Sequence, residues 1–157
     1  MHKEIERKFL VKDGSWRTAA GSGTTYLQGY ISVDEDRTVR VRTDGTRGYI
    51  TLKGRAHNIT RNEFEYEIPA DDAIRILNIL CIKPLIKKVR YLVKHKNFIW
   101  EIDVFEDENK GLVIAEIELT DENESFAIPD WAGAEVTSDT RYLNSNLVKR
   151  PFSEWIS

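Results

Sequence analysis

Hydrophobic and polar residues alternate along most of this chain, with the period of two that is typical of β-strands. In the first such segment, Glu4, Glu6 and Lys8 share one side. Ile5 and Phe9 lie on the other side. Eight segments show this strand-type pattern: residues 4–11, 25–33, 38–43, 47–53, 62–68, 86–95, 97–105 and 112–120. Many of the connections are short and rich in turn-forming residues, which predicts antiparallel pairing of neighbouring strands.

Helical spacing is much rarer. Between Ala73 and Cys81 the apolar residues recur at the spacing of one helix face, so a helix is predicted there that ends before Pro84. A second helix is predicted from residue 138 or 139 to about Lys149, and a short helical turn within residues 13–20. The pattern therefore predicts a mainly β, α+β protein in which a few helices cover a sheet.

The polar faces of the predicted strands carry charges of one sign over two or more positions. The acidic pairs are Glu4 and Glu6, Glu63 and Glu65, Glu101 and Asp103, and Glu116 and Glu118; the basic pairs are Arg40 and Arg42, and Lys88 and Arg90. Residues two apart on a strand face lie about 7 Å from each other, where like charges repel by about 2.4 kcal/mol at an effective dielectric near 20. Segregated signs are typical of a site where acids hold a divalent cation and bases hold a polyanion.

Two simpler interpretations compete with a functional one. A single Glu-x-Glu strand is usually a solvated sheet face, and acidic and basic strips can pair across strands for about 0–1 kcal/mol per exposed pair. Neither accounts well for six like-charged pairs that share one alternation with an apolar opposite face. The pattern favours an eight-stranded antiparallel closed β-barrel with a polar interior and an apolar exterior packed beneath helices.

Composition and charge limit the class of protein, its partners and its expected location. The 157 residues suit one domain, predicted over 1–157, and 41% hydrophobic with 31% charged residues indicates a globular protein. A net charge of −3 gives no general attraction to nucleic acid or to anionic membranes. With one cysteine, no signal-peptide pattern and no apolar run of about 20 residues, we expect a cytoplasmic protein without a membrane partner. An exposed apolar helix face would permit a homodimer.

The segment Glu4-Ile5-Glu6-Arg7-Lys8 resembles the Glu-x-Glu-x-Lys signature that opens the CYTH superfamily, the triphosphate tunnel metalloenzymes. The likeness continues, in order, through Gln28-Gly29-Tyr30, Val39-Arg40-Val41-Arg42, Leu52-Lys53, Glu63-Phe64-Glu65, Lys88-Val89-Arg90, Trp100-Glu101-Ile102-Asp103 and Ala115-Glu116-Ile117-Glu118. The tail, with Glu135-Val136-Thr137 and Arg141-Tyr142-Leu143-Asn144, looks like the short bacterial members. The opening signature alone is weak, whereas the ordered set at matching strand positions is specific.

The resemblance implies an eight-stranded tunnel that binds triphosphate and uses Mg²⁺ or Mn²⁺. The residues it assigns to phosphate binding are Lys8, Arg40, Arg42, Lys53, Lys88 and Arg90. Those it assigns to the principal metal are Glu4, Glu6, Glu116 and Glu118. Those it assigns to a second metal or to orienting the attacking water are Glu63, Glu65, Glu101 and Asp103. The sequence leaves open which carboxylate positions the water, and whether Gln28, Tyr30 or Asn144 reaches the tunnel.

Hydrolysis of inorganic triphosphate, or of a related short polyphosphate, is the function that this resemblance favours. An organic substrate is the alternative, either thiamine triphosphate for hydrolysis or ATP for cyclisation to cyclic AMP. Either one needs a pocket for the organic group, and the loop at residues 54–61 is the only candidate, although it lacks an aromatic residue. A non-catalytic polyphosphate-binding module is a third possibility, which the full acidic set argues against because uncompensated carboxylates hinder anion binding.

Overall fold

A computed structural model describes residues 2–155 of the protein, so both limits of the predicted 1–157 domain lie outside the described residues. The strands are β1 (Lys3–Val11), β2 (Thr24–Asp34), β3 (Arg37–Thr43), β4 (Gly48–Lys53), β5 (Thr60–Ile68), β6 (Ile86–His95), β7 (Phe98–Phe105), β8 (Val113–Glu118) and β9 (Ala132–Glu135). The helices are α1 (Ala70–Ile79) and α2 (Asn144–Lys149), with 3₁₀ turns at Ser15–Ala19, Asp107–Asn109, Thr140–Tyr142 and Phe152–Glu154. Neither α1 nor α2, nor any 3₁₀ turn between residues 2 and 155, is long and apolar enough to cross a bilayer.

Eight strands join edge to edge in the order β5-β4-β3-β2-β6-β7-β8-β1, and a further pairing between β1 and β5 closes the ring. Every pairing is antiparallel, as the short connections predicted. At the closure, Lys3 pairs with Asn62 and Ile5 with Thr60. The remainder of β1 pairs with β8, so that the first strand joins the two ends of the sheet.

The ninth strand was not predicted from the sequence. Strand β9 is four residues long, reads Ala-Gly-Ala-Glu and lacks the alternation that marks the other strands. It pairs with the end of β1, where Phe9 lies opposite Glu135 and Val11 opposite Ala132. Because Phe9 also pairs with Ala115 of β8, β9 lies on the other edge of β1 and flanks the ring.

The continuous second helix predicted from residue 138 or 139 to 149 is wrong. The segment forms a 3₁₀ turn over Thr140–Tyr142 and then α2, and Leu143 between them has an extended backbone with φ −67° and ψ 132°. The Asp139 side chain accepts a hydrogen bond from the Arg141 amide, which caps the turn as a separate element. The break directs residues 143–145 towards the inside of the ring.

The outward apolar faces of the strands form two hydrophobic cores outside the ring. Helix α1 packs Ala73 and Leu77 onto Val41 of β3, and the approach is close because Gly48 stands beneath the helix. A Cβ atom at Gly48 would lie 2.6 Å from the Cβ atom of Ala73. The larger core includes Trp100, which makes edge-on aromatic contacts with the loop residues that cover it. The inner face is polar over most of its length. Part of it is apolar, because Phe105 and Ile114, which pair with Lys88 and Asp103, pack with Leu147 of α2 in a third core.

Candidate active site

The ring encloses a cavity of about 200 Å³ lined almost entirely by charged side chains. Every site residue predicted from the sequence lines it except Asp103: Glu4, Glu6, Lys8, Arg40, Arg42, Lys53, Glu63, Glu65, Lys88, Arg90, Glu101, Glu116 and Glu118. Tyr30 and Asn144, which the sequence left open, also line the cavity, together with Thr38, Arg61, Leu143 and Ser145, which it did not single out. Gln28 is fully buried behind the wall, where it donates to Tyr30 Oη at 3.0 Å.

The charges of the lining are balanced in number and partly segregated by strand. Seven cationic side chains and seven carboxylates line the cavity. The carboxylates come from β1, β5, β7 and β8, which neighbour one another around the closure, whereas most of the bases come from β3, β4 and β6. An anion as highly charged as triphosphate would gain little from a neutral lining as a whole. It would gain much from the seven bases, which we call the basic side, if a cation occupied the seven carboxylates, which we call the acidic side.

Two arginines of β3 form one part of the basic side. Arg40 donates through Nη2 to Thr51 Oγ1 at 3.1 Å and to Glu65 Oε1 at 3.3 Å, whereas Arg42 Nη2 lies 4.0 Å from the same Glu65 oxygen. The Nε–H groups of both arginines are buried and have no hydrogen-bond partner within residues 2–155. Buried donors without acceptors are costly, so these groups favour an anionic ligand in the cavity.

Asp103 fixes the other part of the basic side from behind the cavity wall. Its carboxylate accepts two hydrogen bonds from Arg90, at 2.7 and 2.9 Å, and lies 3.0 Å from Lys88 Nζ. Burial alone would raise the pKa of Asp103, but Lys88 and Arg90 hold it well below its usual range. Both of its oxygens are therefore engaged by bases of the lining.

Lys88 is the most deeply buried cation of the lining, with its side chain 2% exposed. Burial, together with the nearby Arg90 and Arg42, lowers the pKa of Lys88 to about 8 although Asp103 opposes the shift. Its second partner is Asn144 Oδ1 at 3.0 Å, at the first residue of α2. An ammonium group has three donors, so one N–H of Lys88 remains for a ligand. Lys87, the alternative in register, lies outside and pairs with Glu106 at 3.3 Å.

The carboxylates crowd together on the acidic side. Glu6 lies opposite Glu118 across β1 and β8, and Glu101 lies opposite Glu116 across β7 and β8. Burial, and then the charge of Glu6, raises the pKa of Glu116. Burial, and then Glu4 and Glu101, raises the pKa of Glu118. Carboxyl groups that resist ionisation for this reason are stabilised in their charged form by a bound cation.

Lysines separate some of these carboxylates. Lys53 Nζ donates to Glu4 at 2.9 and 3.0 Å and lies 3.5 Å from Glu63, while Lys8 Nζ lies 3.7 Å from Glu116 and 3.9 Å from Glu6. In this arrangement no three histidine, cysteine or acidic side chains of the described part of the chain converge on one metal position. The donor set nevertheless fits a hard divalent cation, because every candidate ligand is a carboxylate oxygen. Side-chain rotation would be needed to bring the carboxylates onto one ion.

A second cavity of about 350 Å³ adjoins the first, and the residues lining both are Glu4, Glu6, Lys8, Thr38, Arg61, Leu143 and Ser145. We call it the outer chamber; its other walls are Val33, Glu35, Arg55, Ala56, Asn58, Ile59, Thr137, Ser138, Thr140 and Asn146. The loop at residues 54–61 contributes several of these walls. None of the lining residues is aromatic among those that the structure describes. Val33, Ala56 and Ile59 make the outer chamber more apolar than the cavity, but it offers no ring on which a nucleobase could stack.

A closed ring of antiparallel strands with a charged interior is the architecture that the opening signature predicted, and the chain belongs to the CYTH family: the CYTH domain matches residues 2–152. The chain is 54% identical over 155 residues to an inorganic triphosphatase of Acetivibrio thermocellus, with 99% of each chain covered. It is 32% identical to an inorganic triphosphatase of Nitrosomonas europaea, covering 92% of this chain and 95% of the relative. A solved structure of an inorganic triphosphatase superposes with a TM-score of 0.65 at 31% identity, covering 94% of this chain and 95% of that one.

Proposed function

We propose that this protein hydrolyses inorganic triphosphate inside the ring, with Mg²⁺ or Mn²⁺ bound to the acidic side. The observation that carries the proposal is the partial segregation of charge around one cavity: the seven carboxylates come from β1, β5, β7 and β8, and five of the seven bases come from β3, β4 and β6. A linear polyanion and a divalent cation together satisfy both halves of such a lining. The relatives that are 54% and 32% identical to this chain are both inorganic triphosphatases, which supports the same substrate.

The basic side would bind the phosphate oxygens. This group comprises Lys8, Arg40, Arg42, Lys53, Lys88 and Arg90, and Arg61 joins it because it lines the same cavity. A guanidinium offers a fixed fork to two oxygens, whereas an ammonium acts as a compact point charge. A phosphate oxygen would supply a hydrogen-bond acceptor to the buried Nε–H groups of Arg40 and Arg42, which have no partner in the described part of the chain.

The acidic side would hold the cation through Glu4, Glu6, Glu116 and Glu118. When bound, the ion would supply charge neutralisation and polarise phosphoryl oxygens. Glu63, Glu65 and Glu101 would site a second ion or orient the attacking water, since all three reach the cavity. For Asp103 we propose a different role, holding Lys88 and Arg90 in place, because it lies behind the wall with both oxygens engaged.

The reaction then follows the general course of phosphoryl transfer. Water attacks the terminal phosphorus, the bond from that phosphorus to the bridging oxygen breaks, and phosphate and pyrophosphate are released. This chain's contribution is to bind the three phosphate groups in line and to spread the developing negative charge over fixed guanidinium and ammonium groups. A carboxylate of the acidic side would orient the water.

An organic triphosphate is the second candidate, and one observation favours it. The outer chamber opens directly onto the cavity and has room and apolar walls for a group attached to one end of a triphosphate. Val33, Ile59 and Leu143 would contact such a group, and Asn58 and Asn146 could bond to it. Its lack of an aromatic wall leaves inorganic triphosphate as the favoured substrate.

The test is a substrate panel. The purified protein is offered triphosphate, pyrophosphate, ATP and thiamine triphosphate with Mg²⁺ or Mn²⁺, and released phosphate and cyclic AMP are measured. We expect metal-dependent phosphate release that is fastest with triphosphate. Faster turnover of ATP or thiamine triphosphate would replace the proposal with the organic one. Tight binding of triphosphate without turnover of any substrate would identify a binding module instead.

A further inference from the structure

Tyr26 of β2 places its ring beside two arginines of the basic side. The Cζ atom of Arg42 lies 4.5 Å from the centre of the ring, and that of Arg90 lies 5.8 Å from it. Tyr26 pairs with Lys88 across β2 and β6, so it belongs to the inward-facing set of side chains. It is half-buried and does not line the cavity. Any effect that it has on a ligand must therefore pass through the arginines.

The two arginines differ in how many other groups hold them. Arg90 is fixed by two hydrogen bonds to Asp103 and one to Glu101. Arg42 has a single ion pair, at 4.0 Å to Glu65, and its buried Nε–H has no acceptor in the described part of the chain. Burial, and then repulsion from Arg40 and Arg90, lowers the pKa of Arg42. The ring of Tyr26 is thus a principal favourable neighbour of the Arg42 guanidinium.

An aromatic ring suits this position better than a carboxylate would. The face of the ring carries partial negative charge and attracts a guanidinium, most strongly where water is excluded. Unlike a carboxylate, the ring does not neutralise the cation. It also leaves the guanidinium N–H groups free for an acceptor in the cavity, which an anion-binding arginine requires.

We propose that Tyr26 is a positioning residue for substrate binding: its ring holds the Arg42 guanidinium against repulsion from Arg40 and Arg90, with its donors available to a phosphate oxygen. The proposal rests on the proposed function, since triphosphate is the anion that Arg42 would bind. Neither the signature motifs nor the charged alternation singles out Tyr26, because a tyrosine on an inward face carries no charge.

The test compares aromatic with aliphatic replacements. Tyr26→Phe keeps the ring and loses the hydroxyl, so its kcat/KM for triphosphate should stay within about twofold of the wild type. Tyr26→Leu and Tyr26→Met lose the ring, and kcat/KM should fall by about 2- to 30-fold, the range expected for one cation–π contact. Most of the loss should be in KM, because Arg42 would have to be ordered on binding. Two aliphatic variants are used so that poor folding of one leaves the other to decide.

Tyr91 provides a matched control. It lies on the outer face of β6, 5.5 Å from Arg17 Cζ, and packs against Trp16. Tyr91→Leu therefore removes a similar contact outside the ring, and we expect the KM for triphosphate to remain unchanged. A double-mutant cycle then tests the route through Arg42. In an Arg42→Gln background, Tyr26→Leu should cause less than about a twofold further loss, because a neutral side chain makes no cation–π contact.

The outcomes separate this inference from the proposed function. Failure of the wild type to hydrolyse triphosphate would refute the proposed function and, with it, the role of Tyr26. An active wild type with Tyr26→Phe, Tyr26→Leu and Tyr26→Met all alike would refute the inference alone. So would an equal loss from Tyr26→Leu in the wild-type and Arg42→Gln backgrounds, because Tyr26 would then act through another residue.

Discussion

Glu6 in β1 lies directly opposite Glu118 in β8, with both side chains on the wall of the same cavity. Like charges in directly opposed positions of an antiparallel pair are destabilising. The arrangement is repeated one strand further on, where Glu101 faces Glu116. A cation bound between such pairs would relieve their repulsion, which favours the proposed metal site on this face of the ring.

Replacing one member of the Glu6–Glu118 pair should weaken metal binding without harming the metal-free fold. For Glu118→Gln we expect the Mg²⁺ concentration at half-maximal activity to rise at least about tenfold. The free energy of unfolding in chelator should stay equal or increase, because repulsion is relieved. A metal titration of triphosphate hydrolysis and urea unfolding measure the two effects. Glu67→Gln is the control, since Glu67 follows Glu63 and Glu65 on β5 but does not line the cavity. Unchanged metal dependence in Glu118→Gln would remove Glu118 from the metal site.

Triphosphate and metal together should stabilise the protein more than either alone. A ligand at 100 times its Kd stabilises the native state by about 2.7 kcal/mol, which corresponds to a Tm increase of about 5–10 °C for a domain of this size. Triphosphate without metal should give a smaller shift, since the lining as a whole is neutral. Thermal melting with triphosphate, with Mg²⁺ and with both tests this. Equal shifts with and without the metal would contradict coupled binding.

Two crowded glutamates of the acidic side, the buried Glu116 and the more exposed Glu118, should make metal-free stability depend on pH. The pKa values of Glu116 and Glu118 are raised above the ordinary value of 4.5, chiefly by burial. Their stabilising contribution is therefore full below pH 4.5 and is lost as the pH rises through the raised values. We expect the contribution of these two groups to the free energy of unfolding in chelator to decrease over that interval. Urea unfolding of the wild type and of the double variant Glu116→Gln/Glu118→Gln across this pH range measures the contribution of the two carboxyl groups. Identical pH dependence in the two proteins would contradict the prediction.

Asp103→Asn should damage both stability and binding. Breaking a buried ion pair on one side typically costs about 3–5 kcal/mol, because it leaves an uncompensated charge. Here two bases, Lys88 and Arg90, would lose their shared partner. Urea unfolding should show this loss, and KM for triphosphate should rise. Glu135→Gln is the comparison, because the exposed pair of Glu135 with Arg7 should contribute only about 1 kcal/mol or less. Similar losses in the two variants would argue against a special role for Asp103.

The close packing of α1 can be tested at Gly48. Gly48→Ala would place a Cβ atom 2.6 Å from Ala73 Cβ, so α1 or β4 must shift, at a cost of about 1–3 kcal/mol. Gly54→Ala is the matched control, because its nearest contact would be Asn62 Cβ at 3.9 Å. Urea unfolding of the two variants gives the comparison. A stability loss no larger in Gly48→Ala than in Gly54→Ala would show that α1 and β4 accommodate a Cβ atom at position 48 without a costly shift.

Alternation could predict which residues face inwards, but not how deep each one lies. Glu101 and Asp103 share one face of β7, yet Glu101 reaches the cavity and Asp103 lies behind Arg90. That difference depends on which basic side chain of the neighbouring strand reaches across, and a strand pattern carries no such information. Arg61 was missed for a related reason: it lies just before the predicted strand at 62–68, in a segment read as a loop.

The elements that the sequence failed to predict owe their form to tertiary contacts. Strand β9 has little strand propensity of its own and exists because β1 offers it an edge. Leu143 is extended within a segment whose spacing suits a helix, because the segment enters the ring there. The eight strands of the ring could be predicted from the local sequence, because each repeats the alternation over several residues.

The closure of the ring by β1 also has a consequence for how the protein is made. Strand β1 leaves the ribosome before the other eight strands, yet its partners lie in β5, β8 and β9, and the last two are synthesised after all the other strands. Contacts so distant in sequence form late and slowly. Glu4, Glu6 and Lys8 therefore stay without most of their strand partners until β8 and β9 have been translated, and the nascent protein has no assembled site before then.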